Sequence, residues 1–232
     1  MINPILCPVR NGLNYTRAAL PTFLAQDCGD VHVYFVDNAS TDGTREFLNA
    51  QDTKIVHTTH QTPPLSVAKS WNFGLRWLFE NGAEHVLVVN NDVELRPDMY
   101  RELLAADLLF ATGVGVATRN QMAGAFTRAD RPNPDFSCFL IRRDCWEQLG
   151  PFDEGCEGAY CEDSIYHVEA HRKGVALPCI GIPFVHHGSG TIKSATPEEA
   201  ARISAQAYKN RAYFKSKYGC EVGSPEYEEI FK

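Results

Sequence analysis

The chain has 232 residues, 44% of them apolar, enough to build the full core of one α/β domain. Its formal net charge of -7 argues against recognition dominated by a nucleic-acid phosphate backbone. No stretch approaches the ~18 consecutive apolar residues of a membrane span. The N-terminal "MINPILCPVRNG" lacks the basic start and long apolar run of a signal peptide. Eight cysteines, at 7, 28, 138, 145, 156, 161, 179 and 220, include no CxxC pair, which fits reduced thiols in a soluble cytoplasmic protein.

Strand and helix patterns alternate. "PILCPV" reads as a short apolar strand, followed by a helix near Tyr15–Gln26. "VHVYFV" (31–36) is a second strand, closed by the turn-rich "DNASTDGT". A short helix is predicted over Thr44–Asn49, and a third strand in "KIVH" (54–57). In "SVAKSWNFGLRWLFENG", Val67, Trp71, Gly74, Leu75 and Leu78 recur at helical spacing, and the pattern stops at Gly82. "HVLVV" (85–89) reads as a strand buried on both faces, and "RPDMYRELLAADLLF" as a helix with Pro97 in its first turn. This rhythm predicts a mostly parallel central sheet flanked by helices, a Rossmann-like α/β fold.

Beyond Val116 the rhythm loosens. Residues 118–135 form a polar loop containing Gly and Pro. "FSCFLI" is a strand, "RRDCWEQLG" a short helix, and "EDSIYHVEAHRKG" a helix ending at Gly174. "VALPCIGIPFV" is extended and delivers His186 and His187. A final helix opens with a capping box, Thr196 with Glu199, and Pro197 at the first helical position. Its Lys209, Arg211, Lys215 and Lys217 interleave with Tyr208, Tyr213, Phe214 and Tyr218. Packing of Ile203, Ala207 and Phe214 with solvated charges is the simpler reading; contact with an anionic partner is the other. The expected organisation is one domain over 1–232, with a first half at 1–117, a second at 118–195 and a C-terminal helical extension at 196–232.

Ligands of such sheets bind beyond the carboxyl ends of the strands. Asp37 sits at one such end and Asn90, Asn91 and Asp92 at another, so they are expected to meet in one crevice. Buried without partners, such polar groups cost ~1–3 kcal/mol each. A plainer reading makes Asp37, Asn38, Ser40 and Asp42 an Asx-type turn. Glu162 and Asp163 suit either a helix N-terminus or proton chemistry. His167 and His171, four apart without a third ligand, read as a solvated helix face.

Four segments taken in order, "FVDNASTDGT" (35–44), "VVNNDVEL" (88–95), "LGPFDEG…YCEDSIYHVEAHRKG" (149–174) and "VHHGSGT" (185–191), resemble the GT-A-fold inverting nucleotide-sugar glycosyltransferases of family 2 and their rhamnosyltransferase-like members. The resemblance implies a GT-A sheet whose first half, 1–117, binds the nucleotide sugar and whose second, 118–195, carries the acceptor and the catalysis. It makes "NND" a DxD-type motif, with Asp92 a ligand of Mn²⁺ or Mg²⁺ and Asn90 or Asn91 orienting ribose or diphosphate. It places Asp37 against the nucleobase, with Pro8, Arg10 and Asn38 nearby, and Lys69 and Asn72 beside the nucleotide; Asn72 alternatively satisfies a neighbouring loop. It makes Asp163 the base and Glu162 its support. His186 or His187 completes the metal site, alternation after Phe184 favouring His186. Ser189, Gly190, Thr191 and Lys193 are expected at the diphosphate. Where family members carry another acid and a basic residue beyond the base, this chain has Ile165 and Glu169.

The implied activity is metal-dependent, inverting transfer from a UDP-sugar, or secondly dTDP-rhamnose, to an acceptor hydroxyl. A glycan, a lipid-linked sugar, a protein or a modified nucleobase would supply that hydroxyl. Two rivals exist. A sugar nucleotidyltransferase needs a Gly-rich basic loop after the first strand, and "CPVRNGLN" has only Arg10 and Gly12. A non-catalytic sugar-nucleotide or glycan-binding module has no need of Asp92, Asp163 and the histidine pair together.

Overall fold

A computed structural model describes residues 2–123, 134–188, 190–193 and 195–232 of the protein. Its strands are β1 (Ile2–Val9), β2 (Asp30–Asp37), β3 (Val56–His60), β4 (His85–Val89), β5 (Val93–Glu94), β6 (Phe110–Val116), β7 (Cys138–Arg142) and β8 (Cys179–His186). The helices are α1 (Leu13–Leu24), α2 (Thr44–Asn49), α3 (Val67–Glu80), α4 (Met99–Ala105), α5 (Arg119–Ala123), α6 (Arg143–Leu149), α7 (Glu162–Arg172), α8 (Gly190–Lys193), α9 (Pro197–Tyr218) and α10 (Pro225–Glu229). All strands join one sheet in the order β3-β2-β1-β4-β7-β6-β8-β5.

The sheet is mixed. β1, β2, β3 and β4 are mutually parallel, as helical crossovers between them require, and β6 is parallel to β8. β7 runs antiparallel to both β4 and β6, and β5 antiparallel to β8. The parallel half aligns its carboxyl ends: Val9 lies beside Asp37, and Asp37 beside His60.

Alternation along the strands builds the core on both faces. Leu87 and Val89 of β4 join Phe23 of α1 and Tyr100 of α4 on one face. Val86 and Val88 join Trp71 and Leu75 of α3 and Tyr166 of α7 on the other. A fully buried side chain of this kind contributes ~1.5–3 kcal/mol, so the doubly buried β4 anchors the polar residues at its carboxyl end. α3 lies directly on β1: a Cβ at Gly74 would stand 2.3 Å from Leu6 Cδ1.

Three predicted elements shift. The third strand begins at Val56 rather than Lys54, because Asp52 turns the chain and accepts from the Lys54, Ile55 and Val56 amides. The helix after Pro97 ends at Ala105, and Asp107 takes a left-handed φ of 51°; the apolar run beyond it enters β6. The face of His167 is not solvated, because its ring stacks on Phe231 at 4.2 Å.

The C-terminal helix packs as expected and does more. Its capping box is formed: Thr196 Oγ1 accepts from the Glu199 amide, and the Glu199 carboxylate from the Thr196 amide, both at 3.2 Å. Ala207, Asn210 and Phe214 are buried. Asn210 Nδ2 donates to the carbonyls of Glu157, Ala159 and Tyr160 at 2.8, 2.8 and 3.1 Å. The clamped loop ends in Tyr160 and Cys161, both left-handed at φ 82° and 76°, immediately before Glu162. Side chains with a Cβ resist that region by roughly 1–2 kcal/mol each, so the loop needs an external hold. Asn210→Ala is expected to lower stability by about 2–3 kcal/mol, read as a fall in the urea midpoint at unchanged slope. No helix among the described residues is long and apolar enough to cross a membrane.

Candidate active site

The carboxyl ends of β1 and β2 are bound into one unit. Asn11, left-handed at φ 57°, donates its amide to Ser40 Oγ and accepts from the Thr41 amide, both at 2.8 Å. Asp42 caps two helices, accepting from the amides of Leu13 and Thr44. Asp37 is fully buried. Its carboxylate accepts from the Ser40 amide at 3.0 Å and Arg45 Nε at 3.1 Å, and lies 2.8 Å from His60 Nδ1. Burial alone would raise its pKa, but these bonds outweigh it and hold the group below the usual carboxylate range. A nucleobase reaching Asp37 has to replace His60 or Arg45. Asn38 is engaged with Ser70 Oγ and the Leu65 amide.

Asn91 is buried and donates to Asn11 O and Thr16 Oγ1, both at 3.1 Å. Asn90 is half-buried, and its side chain has no bond among the described residues. Arg10, one residue past β1, is half-buried beside half-buried Pro8. Lys69 is exposed near the start of α3. Asn72 is buried, with Oδ1 accepting from the Phe152 amide at 2.8 Å and Nδ2 donating to Phe152 O and Glu154 Oε1 at 2.9 Å. These are the bonds of its loop-satisfying alternative.

Asp92 leaves β4 buried, and β8 brings histidine to it because Val93 pairs in register with His186. His186 Nε2 stands 3.5 Å from Asp92 Oδ1, and Asp92 Oδ2 accepts from the Gly190 amide at 2.9 Å. A Cβ at Gly190 would lie 2.8 Å from Asp92 Cβ, so only glycine allows this approach. Burial pushes the His186 imidazole down, but the facing carboxylate outweighs it and holds its pKa above the usual value. Burial pushes Asp92 up, and His186 and the Gly190 amide bring it below the usual range. His186 Nδ1 is 3.2 Å from Ser137 Oγ. His187 turns away: its Nε2 lies 2.9 Å from Glu94 Oε1, whose other oxygen accepts from Arg119 Nε at 2.6 Å. Lys193 Nζ donates to His187 O at 2.6 Å. Ser189 and the side chain of Thr191 lie outside the described residues, as does 124–133 within the predicted 118–135 loop.

Two oxygen and nitrogen donors 3.5 Å apart suit neighbouring ligands of an ion with bonds of ~2.0–2.2 Å, so Asp92 and His186 fit a divalent cation. Among the described residues no third His, Cys, Asp or Glu joins them.

The acid pair opens α7. Glu162 is buried, and its Oε2 has no partner among the described residues. Burial, then the charge of Asp163, pushes its pKa up to about 8. Asp163 is half-buried, its Oδ1 accepting from the amide and hydroxyl of Ser164 at 2.7 and 3.3 Å. Burial raises its pKa, and the charge of Asp135 adds to this. Asp135 acts on both Asp163 and His186. Its Oδ2 accepts from the Gly115 amide at 3.1 Å, its Oδ1 from the Ser137 amide at 3.0 Å, and its charge acts on His186 as well as on Asp163. Tyr160 likewise feels both Glu162 and Asp92.

Sequence reasoning missed Asp135, Glu94 and Asn210. Asp135 closed a loop read only as polar, although the Pro residues beside it announce a fixed backbone. Glu94 lay within the 88–95 segment as a second acid close behind Asp92, which was the available signal. A cavity of about 400 Å³ opens on another face of α7, and of the predicted site residues its described lining includes Asn72 alone.

Residues 5–168 match the family described as glycosyl transferase family 2. That is more than half of the chain, and the chain belongs to this family. No curated protein matches the sequence. Among solved structures, Staphylococcus aureus TarS 1–349 in complex with UDP-GlcNAc superposes with a TM-score of 0.67 at 14% identity, covering 100% of this chain and 70% of that one. GalNAc-T7 with UDP, GalNAc and Mn²⁺ gives 0.67 at 12% identity over 99% and 56%. The Pyrobaculum calidifontis mannosyltransferase PcManGT with GDP-Man and Mn²⁺ gives 0.57 at 18% identity over 99% and 77%. At these identities the likeness shows the fold, a GT-A sheet.

Proposed function

We propose that this family 2 glycosyltransferase performs metal-dependent, inverting transfer of a sugar from a nucleoside-diphosphate donor to an acceptor hydroxyl. UDP-sugar is the first expected donor and dTDP-rhamnose the second. The observation that carries the reading is that the charge of Asp135 acts both on His186 of the Asp92–His186 pair and on Asp163 of the acid pair. TarS and GalNAc-T7 in complex with UDP support the donor class, and the Mn²⁺ in PcManGT and GalNAc-T7 supports the cation.

The nucleotide lies over the carboxyl ends of β1, β2 and β4, near Pro8, Arg10 and Lys69. Mn²⁺ or Mg²⁺ held by Asp92 and His186 would neutralise charge on the leaving diphosphate. Asn90 supplies a free amide to ribose or diphosphate, while Asn91, Asp37 and Asn38 hold the loops rigid around it. Asp163 takes the proton of the acceptor hydroxyl as its oxygen attacks the anomeric carbon and the sugar–phosphate bond breaks. Glu162, neutral near physiological pH, keeps a single negative charge on the pair and so leaves Asp163 basic.

Thermal shift with UDP, GDP and dTDP tests the donor side. A nucleotide at ~100 times its Kd adds ~2.7 kcal/mol of stability, enough to move the midpoint by several degrees. With Mn²⁺ the shift is expected to be larger, EDTA to remove the increment, and Asp92→Asn and His186→Ala to abolish it, while His187→Ala retains it. Equal shifts with and without Mn²⁺ would remove the metal from the reading.

A further inference from the structure

Beside Asp163 the fold leaves a cavity of about 110 Å³ lined by Pro134, Phe136, Asp163, Ser164, His167 and Tyr227. Five of these lie within or close to the strands and helix that carry the acids. Tyr227 comes from α10, about 60 residues beyond the end of the family match at 168. α10 is held there by its own contacts. Ser224 caps it through the Tyr227 amide at 3.3 Å. Phe231 stacks on His167 at 4.2 Å and meets Tyr227 edge-on at 5.1 Å. Tyr227 packs with Phe214, Ile165 and Val168 in a small separate core.

We propose that α10 completes the acceptor subsite, that Tyr227 is a specificity-determining residue, and that the acceptor group admitted is a neutral sugar ring. This rests on Asp163 being the base. Among the described residues the lining contains no Lys or Arg to compensate a phosphate or carboxylate, and Asp163 repels one. Hydroxyls from Ser164 and Tyr227, an imidazole and a carboxylate provide both donors and acceptors, the mixture that hydroxyl groups require. Phe136 and Pro134 give an apolar wall for the C–H face of a ring. The volume holds several water-sized groups, hence one ring and not a peptide segment. Two groups here stay uncharged: burial and then His171 push His167 down to about 4, and burial and then Asp163 push Tyr227 up to about 12.

The test is saturation-transfer NMR with methyl glucopyranoside, methyl galactopyranoside and methyl N-acetylglucosaminide, in the presence of UDP and Mn²⁺, with glucose 6-phosphate as the charged comparison. At least one neutral glycoside is expected to bind the wild type and glucose 6-phosphate not to. Tyr227→Ala is expected to weaken that binding tenfold or more. Tyr227→Phe, which keeps the packing, is expected to weaken it about three- to tenfold. Tyr208→Ala, on the exposed side of α9, is expected to change nothing. The UDP-induced thermal shift of each variant reports the donor site separately. If nucleotides bind but no neutral glycoside does, or if both Tyr227 variants bind it as the wild type does, the acceptor inference is overturned and the donor reading stands. If nucleotides produce no shift in the wild type, the donor reading itself has failed.

Discussion

Asp163→Asn is expected to slow sugar transfer by ~10²–10⁴-fold, the usual contribution of a positioned general base, while donor binding and folding persist. The substitution is nearly silent structurally, because an amide oxygen can accept from Ser164 N and Oγ as Asp163 Oδ1 does at 2.7 and 3.3 Å. What vanishes is the ability to hold the acceptor's proton. In the wild type, burial raises the pKa of Asp163. The rate is therefore expected to fall on acidification at a pH above the ordinary carboxylate value of ~3.9, where the base becomes protonated. The Asn variant loses that acid limb along with the rate. Turnover at the wild-type level in a folded Asn variant would falsify the assignment and direct attention to Asp135, whose charge acts on Asp163.

The second large effect concerns stability. Glu162 is pushed up to about 8, first by burial and then by the charge of Asp163. Its unfolded value is ~4.3, so the folded chain binds this proton more tightly than the unfolded one. Its contribution is then fully present below pH ~4, declines as pH rises from ~4 to ~8, and is gone above that. The decline is on the order of 2–5 kcal/mol, because the ionised form must sit in a buried site where Oε2 has no partner among the described residues. Glu162→Gln does not titrate, so urea denaturation across this range is expected to show a much flatter dependence on pH. The glutamine carries a constant penalty of ~1–2 kcal/mol for an unmatched amide, which makes the slope the diagnostic quantity and not the stability at one pH. A Gln variant with the wild-type slope would mean that Glu162 is ionised and solvated in the fold.

The fold was legible wherever periodicity was strong. "HVLVV" is the doubly buried strand its composition predicts, and the Thr196 capping box forms as its residues require. Legibility weakened where a run of apolar residues served two elements. "AADLLF" continues a helical pattern, and only the left-handed turn at Asp107, invisible to hydropathy, sends it into β6. The mixed character of the sheet had no local signal, because strand direction depends on the path of the whole chain.

At the site, the sequence was informative about residue types and less so about partners. Asp92 and His186 face each other, on the alternation that Phe184 begins. The same alternation turns His187 to Glu94, a partner that needed the β5–β8 register to be known. The polar atoms of Asp37, Asn38, Asn72 and Asn91 are consumed within the scaffold. Polar residues at strand ends thus include those that hold loops as well as those that face ligand, and spacing alone does not separate them.

The Asn210 clamp on the Glu157, Ala159 and Tyr160 carbonyls has a consequence for how the enzyme matures. The sheet and the loops at its carboxyl ends are assembled from earlier chain, whereas the turn before Glu162 and Asp163 is secured by a helix, α9, that follows it in the sequence. A nascent chain in which α9 has not yet formed would have the sheet but not the hold on that turn, so on the proposed reading transfer waits for α9 to dock.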